Sequence, residues 1–164
     1  MIRRTHTAGV LPMNELLTAE HRAWIGREGE PVTVEVSRRD IVRYAIATEQ
    51  VLPRFLAGDE APPMFVFNLF GVPRPIAELR EDGLPRGSGG GPRLPLARVM
   101  AGGTELRLHR PIRPGDVLTG TSRIVDMYEK QGSQGPLVFT VRELRVTDAQ
   151  GLPVFEELQT SIAR

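Results

Sequence analysis

Between residues 104 and 162, four stretches of alternating apolar and polar side chains follow one another with only short turns between them. A chain patterned with period two over that length folds into antiparallel sheet. Thr104–Arg110 alternates Leu106 and Leu108 with Glu105 and Arg107. Arg113-Pro114-Gly115-Asp116 has the composition of a type II turn, with Pro presetting φ at the second position and Gly supplying positive φ at the third. Val117–Tyr128 is the next strand, Gly132 to Gly135 turns the chain into Leu137–Thr147, and Asp148-Ala149-Gln150-Gly151 turns it into Val154–Ile162. Four such strands predict a meander, which Val32–Val36, alternating with Thr33 and Glu35, joins as an edge or central strand.

A sheet needs cover on its apolar face, and the first half of the chain supplies it. Ser37 caps a helix in which Asp40 completes a variant capping box, and Ile41, Tyr44, Ala45 and Thr48 recur at i, i+3, i+4 and i+7. Residues 13–25 place Leu16, Leu17, Ala23 and Trp24 near one stripe, which predicts a short helix closing on Gly26. The chain therefore divides into a helical extension over 1–29 and one domain over 30–164. Met64–Phe70 reads as a buried segment. Residues 71–100 hold six Gly and five Pro and read as a long loop, broken by a short helix near Ile76–Arg80. The expected class is α+β: a curved antiparallel sheet packed on a helix, with a long Gly/Pro-rich loop.

Composition excludes several kinds of function. With 21 basic against 20 acidic residues in 164, the chain has no electrostatic footprint for nucleic acid or an anionic membrane. Having no Cys, it can form neither disulfides nor thiolate metal sites, which fits a reducing compartment. His6, His21 and His109 stand 15 and 88 positions apart, without metal-binding spacing, so no metal is expected. Gly89-Gly90-Gly91 lacks the Lys-Ser/Thr of a phosphate loop, and Gly87-Ser88-Gly89 lacks the strand-to-helix context of a nucleophile elbow. Pro12, Asn14 and Glu15 interrupt any signal-peptide core after Met1-Ile2-Arg3-Arg4, and the stretch 64–70 is too short to span a bilayer. A soluble, cytoplasmic protein is the expectation.

Several segments together resemble the MaoC-like dehydratase family, in its N-terminal-domain type. They are S-R-R-D-I-V-R-Y-A-I-A-T (37–48), A-P-P-M-F (61–65), R-V-M-A-G-G-T-E-L-R-L-H-R-P-I-R-P-G-D-V-L (98–118), Y-E-K-Q-G (128–132) and G-P-L-V-F-T-V (135–141). The resemblance covers roughly residues 30–164. It implies a hot-dog fold, and action on enoyl or 3-hydroxyacyl thioesters of coenzyme A or acyl carrier protein, with no cofactor besides that carrier.

Active members of that family carry an Asp and a His after the helix, in a pattern like A-x-x-S-G-D-x-N-P-x-H. Hydration needs one group to activate water and another to handle the proton at the α-carbon. Aligned on Ala45, Thr48 and Pro53, the Asp position is Gln50, the His position is Phe55 and the Asn position is Leu52. Neither Gln50 nor Phe55 transfers protons, so no catalytic residue is expected here. Gln50, Phe55, Pro63, Met64, Phe65, Gly102 and Gly103 are the candidate substrate-binding residues, with Phe55 a pocket wall rather than a proton relay. Arg93 and Arg98 are candidates for a coenzyme A phosphate. Glu49, Asp59 and His109 are the fallback catalytic candidates, although their types and settings equally suit a helix-end carboxylate, a loop carboxylate and a surface or interface histidine. Asp116 reads as a turn residue.

Hot-dog units of this family work in pairs, and often only one unit of a pair holds the Asp and His. The resemblance thus implies a non-catalytic, acyl-pocket-forming subunit of a heteromeric (R)-specific enoyl-CoA hydratase or 3-hydroxyacyl-thioester dehydratase. Its partner would be a catalytic MaoC-like chain, with bulky, branched or steroid acyl groups within reach and backbone N–H groups at a helix N-terminus polarising the thioester. A self-sufficient homodimer with displaced catalytic residues and a non-enzymatic acyl-CoA binding module are the competing expectations.

Overall fold

The computed structural model describes residues 16–67, 69–71, 74–81, 83, 86 and 90–164. Along the chain run α1 (Ala19–Arg22), β1 (Val32–Glu35), α2 (Arg38–Ala47), α3 (Pro53–Leu56), β2 (Val99–Leu108), β3 (Val117–Gly132), β4 (Gly135–Asp148) and β5 (Pro153–Ala163). The strands form one five-stranded antiparallel sheet in the order β1-β3-β4-β5-β2. It curves around α2, the hot-dog arrangement.

Only three of the four late strands form the expected meander. β2 does not pair with β3; it lies beyond β5, in register from Val99 opposite Ala163 to Leu108 opposite Phe155. The β2–β3 link is no hairpin, because it is drawn into the core. Ile112 is buried, and its carbonyl accepts the Ala61 N–H at 2.8 Å. β2 also begins earlier than its alternation suggests and takes Gly102 and Gly103 into a bulge opposite Thr160 and Ser161. A Cβ on Gly102 would meet the Ile162 and Thr160 side chains at 3.0 Å, so the missing side chain is what lets this strand close on β5.

β1 is an edge strand, paired with β3 from Val32 opposite Gly120 to Glu35 opposite Val117. The N–H groups of Gly26 and Gly29 continue that cover, donating to the carbonyls of Ile124 and Ser122 at 2.8 Å. Along the opposite border, every residue of β2 except Leu106 is exposed, and no strand among the described residues pairs with its outer edge.

The turns behave as their composition predicts. Gly115 has φ +87° and the Asp116 N–H donates to the Arg113 carbonyl at 3.2 Å, a type II turn. The Arg110 guanidinium bonds Asp116 at 2.8 Å and Asp148 at 3.4 Å, tying the β2–β3 link to the β4–β5 turn. Burial pulls the Asp148 pKa upward, but the Leu152 and Gln150 N–H groups together with Arg110 outweigh it and hold this carboxyl below the usual range.

Ser37 caps α2, accepting the Asp40 N–H at 3.1 Å, and its hydroxyl donates to the Asp40 carboxylate at 2.7 Å, a side-chain bond where a capping box has a backbone one. Ile41 and Ala45 are fully buried, and Tyr44 meets Phe65 edge to face at 5.6 Å. Thr48 ends the helix exposed, its hydroxyl bonded to the Tyr44 carbonyl. Around this helix pack Val36, Ile112, Leu118, Val146, Val154 and Phe155. Met64 and Phe67 are exposed, so the expected buried segment is a 3-10 turn (Pro63–Val66) of which Phe65 and Val66 face the core. A 3-10 turn at Ile76–Glu78 stands where the short loop helix was expected.

A second apolar cluster joins Leu17, Ile124, Met127, Val138 and Ala163, backed by Leu16, Trp24, Leu94 and Leu96. The helix expected over 13–25 shrinks to the four residues of α1; residues 13–15 lie outside the described set, as do Gly87, Ser88 and Gly89. Tertiary bonds override the helical spacing: the Leu17 N–H donates to the Glu129 carboxylate at 2.7 Å, and Ile25 bridges to Ile124. Among the described residues no helix is long and apolar enough to cross a membrane. Phe155, fully buried where α2 meets the sheet, is the test of this core. Phe155→Ala is expected to destabilise the protein by about 3–5 kcal/mol in urea denaturation.

Candidate functional site

Strand register decides what faces α2 from the concave side of the sheet. Across β3, β4, β5 and β2, one row runs Ser122, Leu144, Glu157, Leu106, and the next runs Ile124, Arg142, Gln159, Thr104. These two rows lie where the two apolar clusters meet: Leu106 and Leu144 pack against the one around α2, and Ile124 belongs to the one under Leu17 and Trp24. They put Ser122, Arg142, Glu157 and Gln159 on the floor of a cavity of about 500 Å³, walled by Val32, Val66, Phe67, Phe70 and Leu144. Gly120 belongs to the same floor. A Cβ there would stand 2.9 Å from the Phe70 ring, so only glycine lets that ring lie on the sheet, 6.2 Å from Phe155.

The polar groups on this floor are unusual for what they lack. On the outer face of the sheet, Arg123 and Arg145 both pair with Glu143, at 2.7 and 3.1 Å. Arg142 makes no ion pair or hydrogen bond among the described residues, and neither does the Glu157 side chain on the adjacent strand. Burial lowers the Arg142 pKa and raises that of Glu157, in each case by disfavouring the charged form. Gly90 lies over the guanidinium: a Cβ there would be 3.9 Å from Nη1. The cavity thus offers a guanidinium fork without a partner among the described residues, a carboxyl biased toward its neutral form and an amide, among aromatic and aliphatic walls.

The residues singled out by sequence lie elsewhere. Gln50 is half-buried; its Nε2 donates at 3.3 Å to the Thr48 carbonyl and hydroxyl, and its N–H returns to the Ala45 carbonyl. Glu49 precedes it with φ +53°, the left-handed residue that ends α2. Phe55 is buried on α3, with the Arg54 guanidinium 4.6 Å from its ring centre. Around it Val51 (82% exposed), Leu52, Leu56 and Met64 stand open, as does Pro63, while Phe65 belongs to the core. Asp59 pairs with Arg38 at 2.6 Å, and His109 Nε2 lies 3.6 Å from Glu156 on the outer face. Glu49, Asp59 and His109 are therefore not brought to one place. Gly102 and Gly103 form the β2 bulge, and none of these residues lines the cavity. The Arg93 carbonyl lies 3.0 Å from His21 Nε2, and Arg98 joins Arg164 in a second hollow near the β3–β4 hairpin.

Sequence reasoning missed Arg142, Glu157 and Gln159, although the signal was present. Counting by twos along β4 gives Val138, Thr140, Arg142, Leu144, Val146, and along β5 gives Phe155, Glu157, Gln159, Ser161, Ala163. Charges interrupt apolar faces in both.

Comparison with known proteins agrees with this architecture. Residues 23–157 match the model of the FAS1-like, dehydratase domain region. The chain belongs to that family of MaoC-like hot-dog hydratases and dehydratases. A curated relative, mesaconyl-C(4)-CoA hydratase of Chloroflexus aurantiacus, is 29% identical over 140 residues, 85% of this chain and 50% of the relative. This FAS1-like dehydratase-region chain thus spans half the length of that relative. The C-terminally truncated HadBC (3R-hydroxyacyl-ACP dehydratase) complex of Mycobacterium tuberculosis superposes with a TM-score of 0.60 at 18% identity, covering 85% of this chain and 97% of that one. The ChsH1–ChsH2 complex of the same organism gives 0.59 at 16%, with 83% of each chain covered. At such identities the two structures establish the fold.

Two measurements probe the cavity floor. Arg142→Met should raise stability by up to about 1 kcal/mol in urea, because it removes a half-buried cation that has no partner among the described residues, the gain being limited by partial exposure. Burial makes folded Glu157 hold its proton more tightly than the unfolded chain does, so its contribution is full below the unfolded pKa and is lost as pH rises through the folded one. Glu157→Gln should therefore raise Tm relative to the native chain at pH 7, with the difference shrinking toward pH 4.

Proposed function

We propose that this chain is the non-catalytic, pocket-forming hot-dog unit of a heteromeric hydratase. The reaction is reversible addition of water across the 2,3 double bond of an enoyl thioester of coenzyme A or acyl carrier protein, giving the (R)-3-hydroxyacyl thioester. A second hot-dog unit supplies the Asp and His that activate water and move the α-proton. The observation that carries this reading is the pairing of Gln50 in the α2–α3 loop and Phe55 on α3, side chains without proton-transfer chemistry, with a cavity walled for a carbon chain.

Two further features support a partner. The β2 edge leaves its outward N–H and C=O groups unpaired among the described residues and carries exposed Val99, Met100 and Leu108. The chain also matches only half of the curated hydratase, as one unit of a pair would. Asp59 is engaged by Arg38, and His109 stands on the outer face, which weighs against a self-sufficient site built from them. The absence of Cys suits cytoplasmic operation, which belongs to the same proposal.

Turnover of short, long and branched 2-enoyl-CoA thioesters by the purified chain tests the reading. The expected rate alone is about 10³-fold or more below that reached after adding a MaoC-like chain with the Asp and His, the size of effect lost with an acid–base pair. Substantial turnover by the chain alone would overturn it.

A further inference from the structure

The polar band on the cavity floor is not used by the proposed water addition, and it is where this fold departs furthest from the requirements of a core. Inward positions of a sheet ordinarily hold apolar side chains, and a charge placed there is normally paired. Arg142 has neither an ion pair nor a hydrogen bond among the described residues, although Glu157 shares its face one strand away. A guanidinium carries five N–H donors in a rigid planar fork, and the group that answers it atom for atom is a carboxylate, through two parallel N–H···O bonds.

We propose that Arg142 receives a free carboxylate carried on the acyl group, so that the cavity selects monothioesters of dicarboxylic acids over plain fatty acyl thioesters. The proposal rests on the acyl-thioester reading above and names its substrate class. Phe67, Phe70, Val32, Val66 and Leu144 wall the carbon skeleton between thioester and carboxylate, and their low polarity strengthens the charge-assisted bonds at its end. Gln159, directly opposite Arg142 in the sheet register, adds amide N–H donors. Gly90 itself puts no side chain against Nη1.

Among the described residues, the charged groups lining the cavity besides Arg142 are Glu157 on β5 and Glu30 just before β1. Glu30 is exposed to solvent. Burial disfavours the charged form of Glu157, which reduces the repulsion an incoming carboxylate meets there. The substrate named in the curated relative, a mesaconyl thioester, falls in the proposed chemical class.

Calorimetric titration of the full chain with succinyl-CoA and with butyryl-CoA tests the assignment, since their four-carbon acyl groups differ in the terminal carboxylate. Succinyl-CoA should bind about tenfold tighter or better, the scale of one charge-assisted hydrogen-bond pair. Arg142→Gln should abolish the preference for succinyl-CoA over butyryl-CoA; Arg142→Lys should keep part of it, and Glu157→Gln should enlarge it. Equal affinity of the native chain for both ligands, or a preference that survives Arg142→Gln, overturns the carboxylate assignment and leaves the acyl-thioester reading standing. Binding of neither overturns both. Circular dichroism establishes that the variants are folded; were Arg142→Gln not, the native chain's affinity ratio decides alone.

Discussion

A ten-residue helix cannot cover strands of up to sixteen residues. At 1.5 Å per residue α2 is about 15 Å long, whereas β3 at 3.3 Å per residue runs to about 50 Å. Most of what distinguishes this molecule answers that mismatch. The helix and the Pro63–Val66 turn fill one end of the concave face; Leu17, Trp24, Leu94 and Leu96 fill the other. Between the two clusters the cavity opens and the polar rows lie.

Charge is distributed to match. Arg110 joins two turns through Asp116 and Asp148, Arg123 and Arg145 share Glu143 on the outer face, and Arg38 holds Asp59 beside α3. Each of these guanidinium groups has a carboxylate and contributes to local order, modestly where water is close. Arg142 and Glu157 stand apart, half-buried and without partners among the described residues. Stability alone would favour apolar residues at both positions, so their presence marks a surface shaped for something other than folding.

Much of the fold was legible because period two and turn chemistry are local signals. Ser37, Gly115 and Gly151 act where composition says they should, and three of the long strands fall within a few residues of their alternation. The β2 crossover was not legible, because it depends on Ile112 entering the core and meeting Ala61, a contact spanning some fifty residues. Nor was the extent of the N-terminal helix, since the stripe of Leu17 and Trp24 is satisfied equally by an irregular segment bonded to β3. For the site, the motif positions Gln50 and Phe55 could be found by resemblance. Arg142 and Glu157 could have been found only by asking which members of each alternating set break its polarity, and their isolation from each other emerges in three dimensions.

The bulge at Gly102 has one more consequence. A chain pairing along the free edge of β2 is held mainly by backbone groups, which are alike from residue to residue and do not distinguish one alignment from another. The bulge interrupts that uniformity: it shifts the phase of the strand between Ala101 and Gly103, so Val99 and Leu108 cannot both meet a regular partner in phase. A complementary strand must accommodate the same irregularity at the same place. For any strand that paired there, the two glycines would act as a fiducial mark, fixing where along the edge it begins and which way its side chains face.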